Sequence, residues 1–138
     1  MIDFQTELGR NAERLLRSEK VVWLTTVRAD GAPWPNPVWF VWDGETALVY
    51  SMPGEKVEAI ARNPLVSLHF NGVGAGGDIV ILSGEAGIAD GEPPVSRAPA
   101  YLEKYGEMIA SDLGMTVEKY EATYSVPVRI TPRRLRGH

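Results

Sequence analysis

Residues 21–42 read Val-Val-Trp-Leu-Thr-Thr-Val-Arg-Ala-Asp-Gly-Ala-Pro-Trp-Pro-Asn-Pro-Val-Trp-Phe-Val-Trp. The first seven are β-branched or aromatic apart from Leu24, and Asp30-Gly31 follows within three residues of Val27. An Asp-Gly pair between two such runs signals a hairpin, because its favoured turn needs positive φ at both central positions. The second run holds Pro33, Pro35 and Pro37, which lack an N–H for the ladder, so this strand (33–42) belongs at an edge or a bulge.

The same texture continues outward. Asp43-Gly44 makes another tight turn into a strand over 46–51, and Met52-Pro53-Gly54 breaks it. A short helix follows over 55–62, stopped at Asn63-Pro64 because the residue before proline is pushed out of the helical region. In Leu65–Phe70, Val66, Leu68 and Phe70 alternate with Ser67 and His69, the mark of a half-buried strand. Two further strands are predicted over 78–89 and 126–135, with helical segments between them in which Leu102, Tyr105 and Ile109 share a face. Ahead of the hairpin, Phe4, Leu8, Ala12, Leu15 and Leu16 recur at helical spacing, with Asp3 as N-cap.

Six short strands joined as hairpins imply an antiparallel sheet, and closure into a small barrel removes its exposed edges. The expected fold is therefore mainly β with helices (α+β), a six-stranded antiparallel split β-barrel. With 138 residues the chain is read as one domain, residues 1–18 forming a leading helix and 20–136 the barrel with its inserted helices.

Composition excludes several chemistries. With no cysteine there is neither a disulfide scaffold nor a thiolate nucleophile, and with two histidines no His-rich metal site. No Gly-x-Ser-x-Gly elbow is present. The start, Met-Ile-Asp-Phe-Gln-Thr-Glu, has neither the basic residues nor the apolar run of a signal peptide, and no segment is apolar enough to span a bilayer, so a cytoplasmic protein is expected. A net charge of −4 argues against nucleic-acid binding; the basic stretch Arg133-Arg134-Leu135-Arg136 reads as the solvated edge of the last strand.

Two segments invite an anion. Gly72-Val73-Gly74-Ala75-Gly76-Gly77 follows a strand as a dinucleotide fingerprint does, but leads to a strand, not to the helix whose N-terminus receives the pyrophosphate. Ser51-Met52-Pro53-Gly54-Glu55-Lys56 instead runs from a strand end into a helix start, with a hydroxyl, an ammonium and the open N–H groups of a first turn. An ordinary solvated turn has the same local sequence. Thr25, Thr26 and Asn36-Pro37-Val38-Trp39-Phe40 offer hydroxyls, an amide and flat aromatics on adjacent strands, a surface suited to a planar heterocycle. No acid–base pair is visible, so any reactivity must come from an organic cofactor.

The ordered series Thr-Val-Arg-Ala-Asp-Gly-Ala-Pro (26–33), Pro-Val-Trp-Phe (37–40), Leu-Val-Tyr-Ser (48–51), Lys56, Arg-Asn-Pro-Leu-Val-Ser-Leu-His-Phe (62–70) and Ser-Gly-Glu-Ala (83–86) resembles the pyridoxamine 5′-phosphate oxidase-like, FMN-binding split-barrel superfamily. More closely, it is similar to the actinobacterial oxidoreductases that use the deazaflavin coenzyme F420. The resemblance implies a homodimer with two cofactor sites at the subunit interface. It places Asn36, Pro37, Val38, Trp39 and Phe40 along the ring system and Tyr50, Ser51 and Lys56 at the phosphate. The partner subunit would add residues near Gly77 and Asp78. The implied activity is hydride transfer from reduced F420 to a small electron-poor acceptor, with Tyr50 as a weak candidate proton donor. FMN as cofactor, or a non-catalytic carrier or sensor, are the alternatives. Relatives usually have a basic residue just before the phosphate lysine and often another two positions before it. This chain has Glu55 and Gly54 there, which implies either a dissociable cofactor or compensation by Arg62 or the partner chain.

Overall fold

The computed structural model describes residues 1–138. Helix α1 spans Glu7–Ser18, with Thr6 as N-cap accepting from the Gly9 N–H at 2.9 Å. The expected cap, Asp3, accepts instead from the Gln5 N–H at 2.8 Å, in a turn before the helix. Gly9 explains the difference: a Cβ there would lie 2.2 Å from the Asp3 carbonyl oxygen, so the leading segment folds back onto the first turn.

Seven strands and three further helices follow: β1 (Val22–Val27), β2 (Pro33–Val38), β3 (Val41–Trp42), β4 (Ala47–Ser51), α2 (Glu55–Arg62), β5 (Leu65–His69), β6 (Val80–Ile88), α3 (Pro99–Ser111), α4 (Val117–Thr123) and β7 (Val126–Gly137). A single 3₁₀ turn at Val95–Arg97 precedes α3. All pairings are antiparallel, in the order β2-β1-β5-β6-β7-β4-β3. The two edge strands, β2 and β3, are consecutive in the chain and separated only by Trp39 and Phe40. So short a link forces the edges toward each other, and the sheet curls into a split barrel. The prolines of β2 sit where the hydrogen-bonding rule requires, on a strand paired on one side only.

One expectation needs correction. The strand predicted over 33–42 is two strands, so the count is seven and not six. At the break, side chains of α3 replace ladder partners: the Phe40 N–H donates to the Tyr105 hydroxyl at 2.8 Å, and the Phe40 carbonyl accepts from Lys104 Nζ at 2.9 Å. Backbone groups buried away from a ladder must be paired somehow, and here a distant helix supplies the pairing.

Two apolar clusters result. Inside the barrel, Leu16, Val22, Leu24, Phe40, Val49, Leu68, Leu82, Val128 and Ile130 are buried, with Ala12 and Leu15 of α1 packed among them. Outside the wall, Tyr50, Val95, Tyr101, Tyr105, Ile109 and Tyr120 form a second, aromatic cluster under α3 and α4. Its α3 face is Tyr101, Tyr105 and Ile109, with Leu102 only half-buried.

The second cluster dictates how stability responds to alkali. Burial raises the phenol pKa of Tyr50, Tyr101, Tyr105 and Tyr120, the last to about 12. A group whose folded pKa lies above its unfolded value stabilises fully below the unfolded pKa and less as pH rises past it. Lys104 has the opposite sign. Burial, helped by nearby Lys20, lowers it to about 8, so the unfolded chain binds the extra proton between about 8 and the ordinary lysine value of roughly 10.4. Urea midpoints should therefore hold or rise from pH 8 to about 10 and fall steeply above it. A Lys104→Met chain should show no rise in the first window. A midpoint that declines steadily from pH 8 would contradict both assignments.

Candidate functional site

The cleft begins where β4 ends. Ser51, 2% exposed, closes that strand, and Gly54 then takes φ 146°, ψ −156°, a conformation that side-chain-bearing residues rarely adopt. A basic residue at 54 would be strained, which is the local reason this chain has glycine there. Gly54 is the N-cap of α2 and provides no side-chain cap, so the first turn of the helix keeps its positive end open beside Lys56.

Lys56 is half-buried, and burial lowers its pKa, because removing an ammonium from water disfavours its charge. Its side-chain hydrogen bond goes to the Ser51 hydroxyl at 3.4 Å, and no carboxylate lies within ion-pairing distance of it. A desolvated cation without a counter-charge, beside an uncapped helix start, makes a seat suited to an anion.

That seat opens into a cleft of about 400 Å³ lined by Trp34, Asn36, Pro37, Val38, Trp39, Tyr50, Ser51, the turn 52–54, Glu55, Lys56, Leu113, Tyr120 and Tyr124. One wall is aromatic. Trp39 stacks on Tyr105 (centroids 4.6 Å apart, planes 2° apart) and on Tyr120 (5.7 Å, 18°), and Tyr120 stacks on Tyr124 at 4.4 Å. The opposite end is the anion seat. A molecule with a flat ring and a charged tail matches this division into apolar wall and cationic end.

Of the ten residues singled out in the sequence, the structure brings Asn36, Pro37, Val38, Trp39, Tyr50, Ser51 and Lys56 to this one cleft. Phe40 is elsewhere: its side chain is fully buried in the barrel, 6.1 Å from Phe70. The break at 39–40 sends Trp39 to the cleft and Phe40 to the core. Gly77 and Asp78 are not in the cleft but lie against α1, where the Asp78 carboxylate accepts from Asn11 at 2.5 Å and sits 3.6 Å from Arg14. The loop before them closes on itself through Val73 and Gly77 and leads into β6, not into a helix.

Tyr50 lines the cleft, but its hydroxyl donates to the Pro93 carbonyl at 2.6 Å, and its pKa is raised by burial and then by Glu92. It is thereby occupied in fixing the loop ahead of α3, which is a poor condition for a proton donor. Arg62 ends α2 in its last turn, exposed and roughly 10 Å along the axis from the seat, so it supplies no second cation there. Arg133 pairs with Glu85 at 3.5 Å with both side chains exposed, so the basic stretch is solvated as expected, although β7 is an interior strand paired with β6 and β4 and not an edge of the sheet.

Sequence reasoning missed Trp34, Leu113, Tyr120 and Tyr124 as cleft residues, and it missed Arg28. The tyrosines carry helical periodicity and read as core; only the packing of α4 against Trp39 gives them a second face. Arg28 sits next to a turn, where arginine is commonplace. In the structure its guanidinium lies 4.8 Å from the Trp34 ring centroid and its Nε 3.4 Å from a Glu55 carboxylate oxygen.

The sequence model described as pyridoxamine 5′-phosphate oxidase matches residues 8–138. No curated protein sequence matches significantly. Among solved structures, the fold is similar to a Clostridium acetobutylicum protein related to general stress protein 26, of the pyridoxinephosphate oxidase family (20% identity over 97% of this chain and 88% of that one, TM-score 0.68). It is similar to an F420 reductase (23% identity, 90% and 94%, TM-score 0.65) and to the heme storage protein HutZ from Vibrio cholerae (17%, 96% and 95%, TM-score 0.62). At such identities these likenesses speak for the fold alone. No helix is long and apolar enough to cross a membrane, and no group of metal-ligating side chains is present.

Proposed function

The chain belongs to the pyridoxamine 5′-phosphate oxidase family, matched over residues 8–138, and from that premise we propose that it is an oxidoreductase that uses coenzyme F420. The observation that supports this most is Lys56, half-buried without a carboxylate partner, at the end of a cleft whose other wall is aromatic. The residues fit such a group. Its phosphate would be held by Lys56, the Ser51 hydroxyl and the open first turn of α2; its ring system would pass along Asn36–Trp39. A reduced deazaflavin supplies a hydride, and the electron-poor acceptor is a small alkene, carbonyl or quinone-like compound.

The chain's own part is placement. Trp39 is braced by Tyr105 and Tyr120, so the wall is rigid and a flat acceptor can be held against the ring with little freedom. Holding donor and acceptor in near-attack geometry removes a large part of a bimolecular barrier. Two of the cleft's tyrosines are committed elsewhere: Tyr50 is tied to Pro93, and Tyr120 shares a hydrogen bond with Tyr101 at 2.7 Å. The proton that accompanies reduction would come from water at the open mouth.

Because Gly77 and Asp78 do not reach the cleft of their own chain, their role at the cofactor requires a homodimer, in which a second copy brings that loop across. Two assays test the reading. F420, and separately FMN, should be added to the protein while its thermal midpoint is followed, since a ligand bound only by the folded state raises it by mass action. Reduced F420 should then be mixed with a panel of acceptors and its oxidation followed. The expected result is a midpoint raised by F420 and acceptor-dependent oxidation. Stabilisation by FMN alone overturns the deazaflavin assignment, and tight F420 binding with no turnover across the panel would assign a carrier instead.

A further inference from the structure

Arg28 follows β1 immediately, on the hairpin that leads into β2. Its guanidinium is held over the Trp34 ring, and Trp34 belongs to the cleft wall. Two carboxylates lie near it, Glu55 at 3.4 Å from Nε and Asp30 at 3.7 Å from Nη2. Neither contact is a hydrogen bond. The second is too long, and at the first the buried Nε–H is left without an acceptor. A guanidinium has five donors in a rigid fork that suits a phosphate, and here its side chain makes no hydrogen bond at all. The Nε–H is covered, but the side chain keeps 38% of its surface exposed, and the terminal nitrogens of the fork, which hydrogen-bond to nothing, have donors to offer an acceptor.

Glu55 gives this arrangement its meaning. It opens α2, precedes Lys56 and lines the cleft, so its carboxylate repels any anion seated at Lys56. The nearby guanidinium offsets that charge. Arg28 does not itself line the cleft, but Trp34 and Glu55, which it touches, both do, so a second cation stands next to the cleft on the Glu55 side.

We propose that Arg28 is the second cation of the anion seat, donating to the cofactor's phosphate, and that Glu55 holds it in position while weakening the binding. This rests on the reading of the cleft as a phosphate-held cofactor site. The competing role for Arg28 is a screen that only neutralises Glu55, and a double-mutant cycle separates the two.

Calorimetric titration of F420 and of FMN into the cofactor-free protein, at fixed ionic strength, provides the readout without turnover. Glu55→Gln should tighten binding of the cofactor about threefold, and Arg28→Met should weaken it about tenfold, as expected for loss of a charge-assisted hydrogen bond. The deciding arm is Arg28→Met in the Glu55→Gln background. A further loss of about tenfold there supports direct contact, whereas no loss there reduces Arg28 to a screen and overturns the proposal. Riboflavin, which lacks the phosphate, should bind all four proteins alike; a parallel loss of riboflavin binding would mark Arg28 as structural and also overturn it. Arg28→Lys, which keeps charge without the fork, should recover part of the affinity and guards against a misfolded methionine variant. Lys56→Ala distinguishes the two levels. If it leaves binding unchanged, or if neither cofactor binds the unaltered protein, the cleft reading fails and Arg28 falls with it. If it abolishes binding while the cycle is flat, only the role of Arg28 fails.

Discussion

Lys56→Ala is expected to weaken binding of the phosphate-bearing cofactor by roughly 30- to 100-fold while leaving the thermal midpoint of the cofactor-free protein unchanged or slightly raised. The affinity loss follows from position: Lys56 is the cation next to Ser51 at the uncapped start of α2, and it has no carboxylate to share its charge with. A contact between an ammonium and a phosphate in a partly desolvated cleft is worth more than the same contact in water. The stability half follows from the same burial. Because desolvation lowers the Lys56 pKa, holding the proton opposes folding, and removal of the ammonium takes that penalty away. A structural lysine would behave in the opposite way, with alanine lowering the midpoint and affinity falling only as the fold loosens. Equilibrium titration and calorimetry of the same preparation read both quantities, and unchanged affinity would move the anion seat elsewhere.

Much of this site was legible because one kind of signal is local. Ser51, the Met52-Pro53-Gly54 turn and Lys56 lie within six residues, and strand end, glycine turn and helix start follow from their order alone. The hairpin at Asp30-Gly31 is likewise written in adjacent residues, although only Gly31 takes positive φ and the loop closes from Arg28 to Ala32, not as the expected two-residue turn with both φ positive; the alternation of Val66, Leu68 and Phe70 places their side chains correctly in the core. The split of the second strand was not legible. Residues 38–42 are a continuous apolar run, and what breaks it is Lys104 and Tyr105, more than sixty residues away. The resemblance places Phe40 at the cofactor with the rest of 36–40, and the break turns it inward. Tyr120 and Tyr124 escaped for a similar reason, since a helical stripe records that a face is covered but not by what. Arg28 was invisible because its meaning depends on Glu55, which the sequence shows only as a departure from the basic residue expected there. Local sequence thus marks the turn at 51–56, while the cleft's aromatic wall and the placing of Arg28 depend on contacts between distant segments.

The aromatic wall itself hangs on one hydroxyl. The Tyr105 oxygen accepts from the Phe40 N–H at 2.8 Å and lies 2.7 Å from the Lys20 carbonyl and 2.9 Å from the Phe40 carbonyl. One phenol has a single proton to give. Since Lys104 already donates to the Phe40 carbonyl, that proton goes to Lys20, and the hydroxyl ties the start of β1 to the β2–β3 break. Tyr105→Phe leaves the ring and its stack on Trp39 in place but strands the Phe40 N–H and the Lys20 carbonyl. Leaving a buried donor unpaired costs about 1–3 kcal/mol, and with the weakened carbonyl a total near 2–3 kcal/mol is expected. For a domain of this size that lowers the thermal midpoint by roughly 6–12 °C. The effect should reach the cleft as well, because the Phe40 backbone is what turns Trp39 outward; a loosened break lets Trp39 leave the wall and weakens cofactor binding about three- to tenfold. Lys104→Met tests the logic from the other side. It frees the Phe40 carbonyl to accept the Tyr105 proton, so the hydroxyl can re-pair and the loss should be smaller than that of Tyr105→Phe. If the two variants lose equally, the proton is not committed as described, and the knot at Phe40 is held by packing of the rings alone.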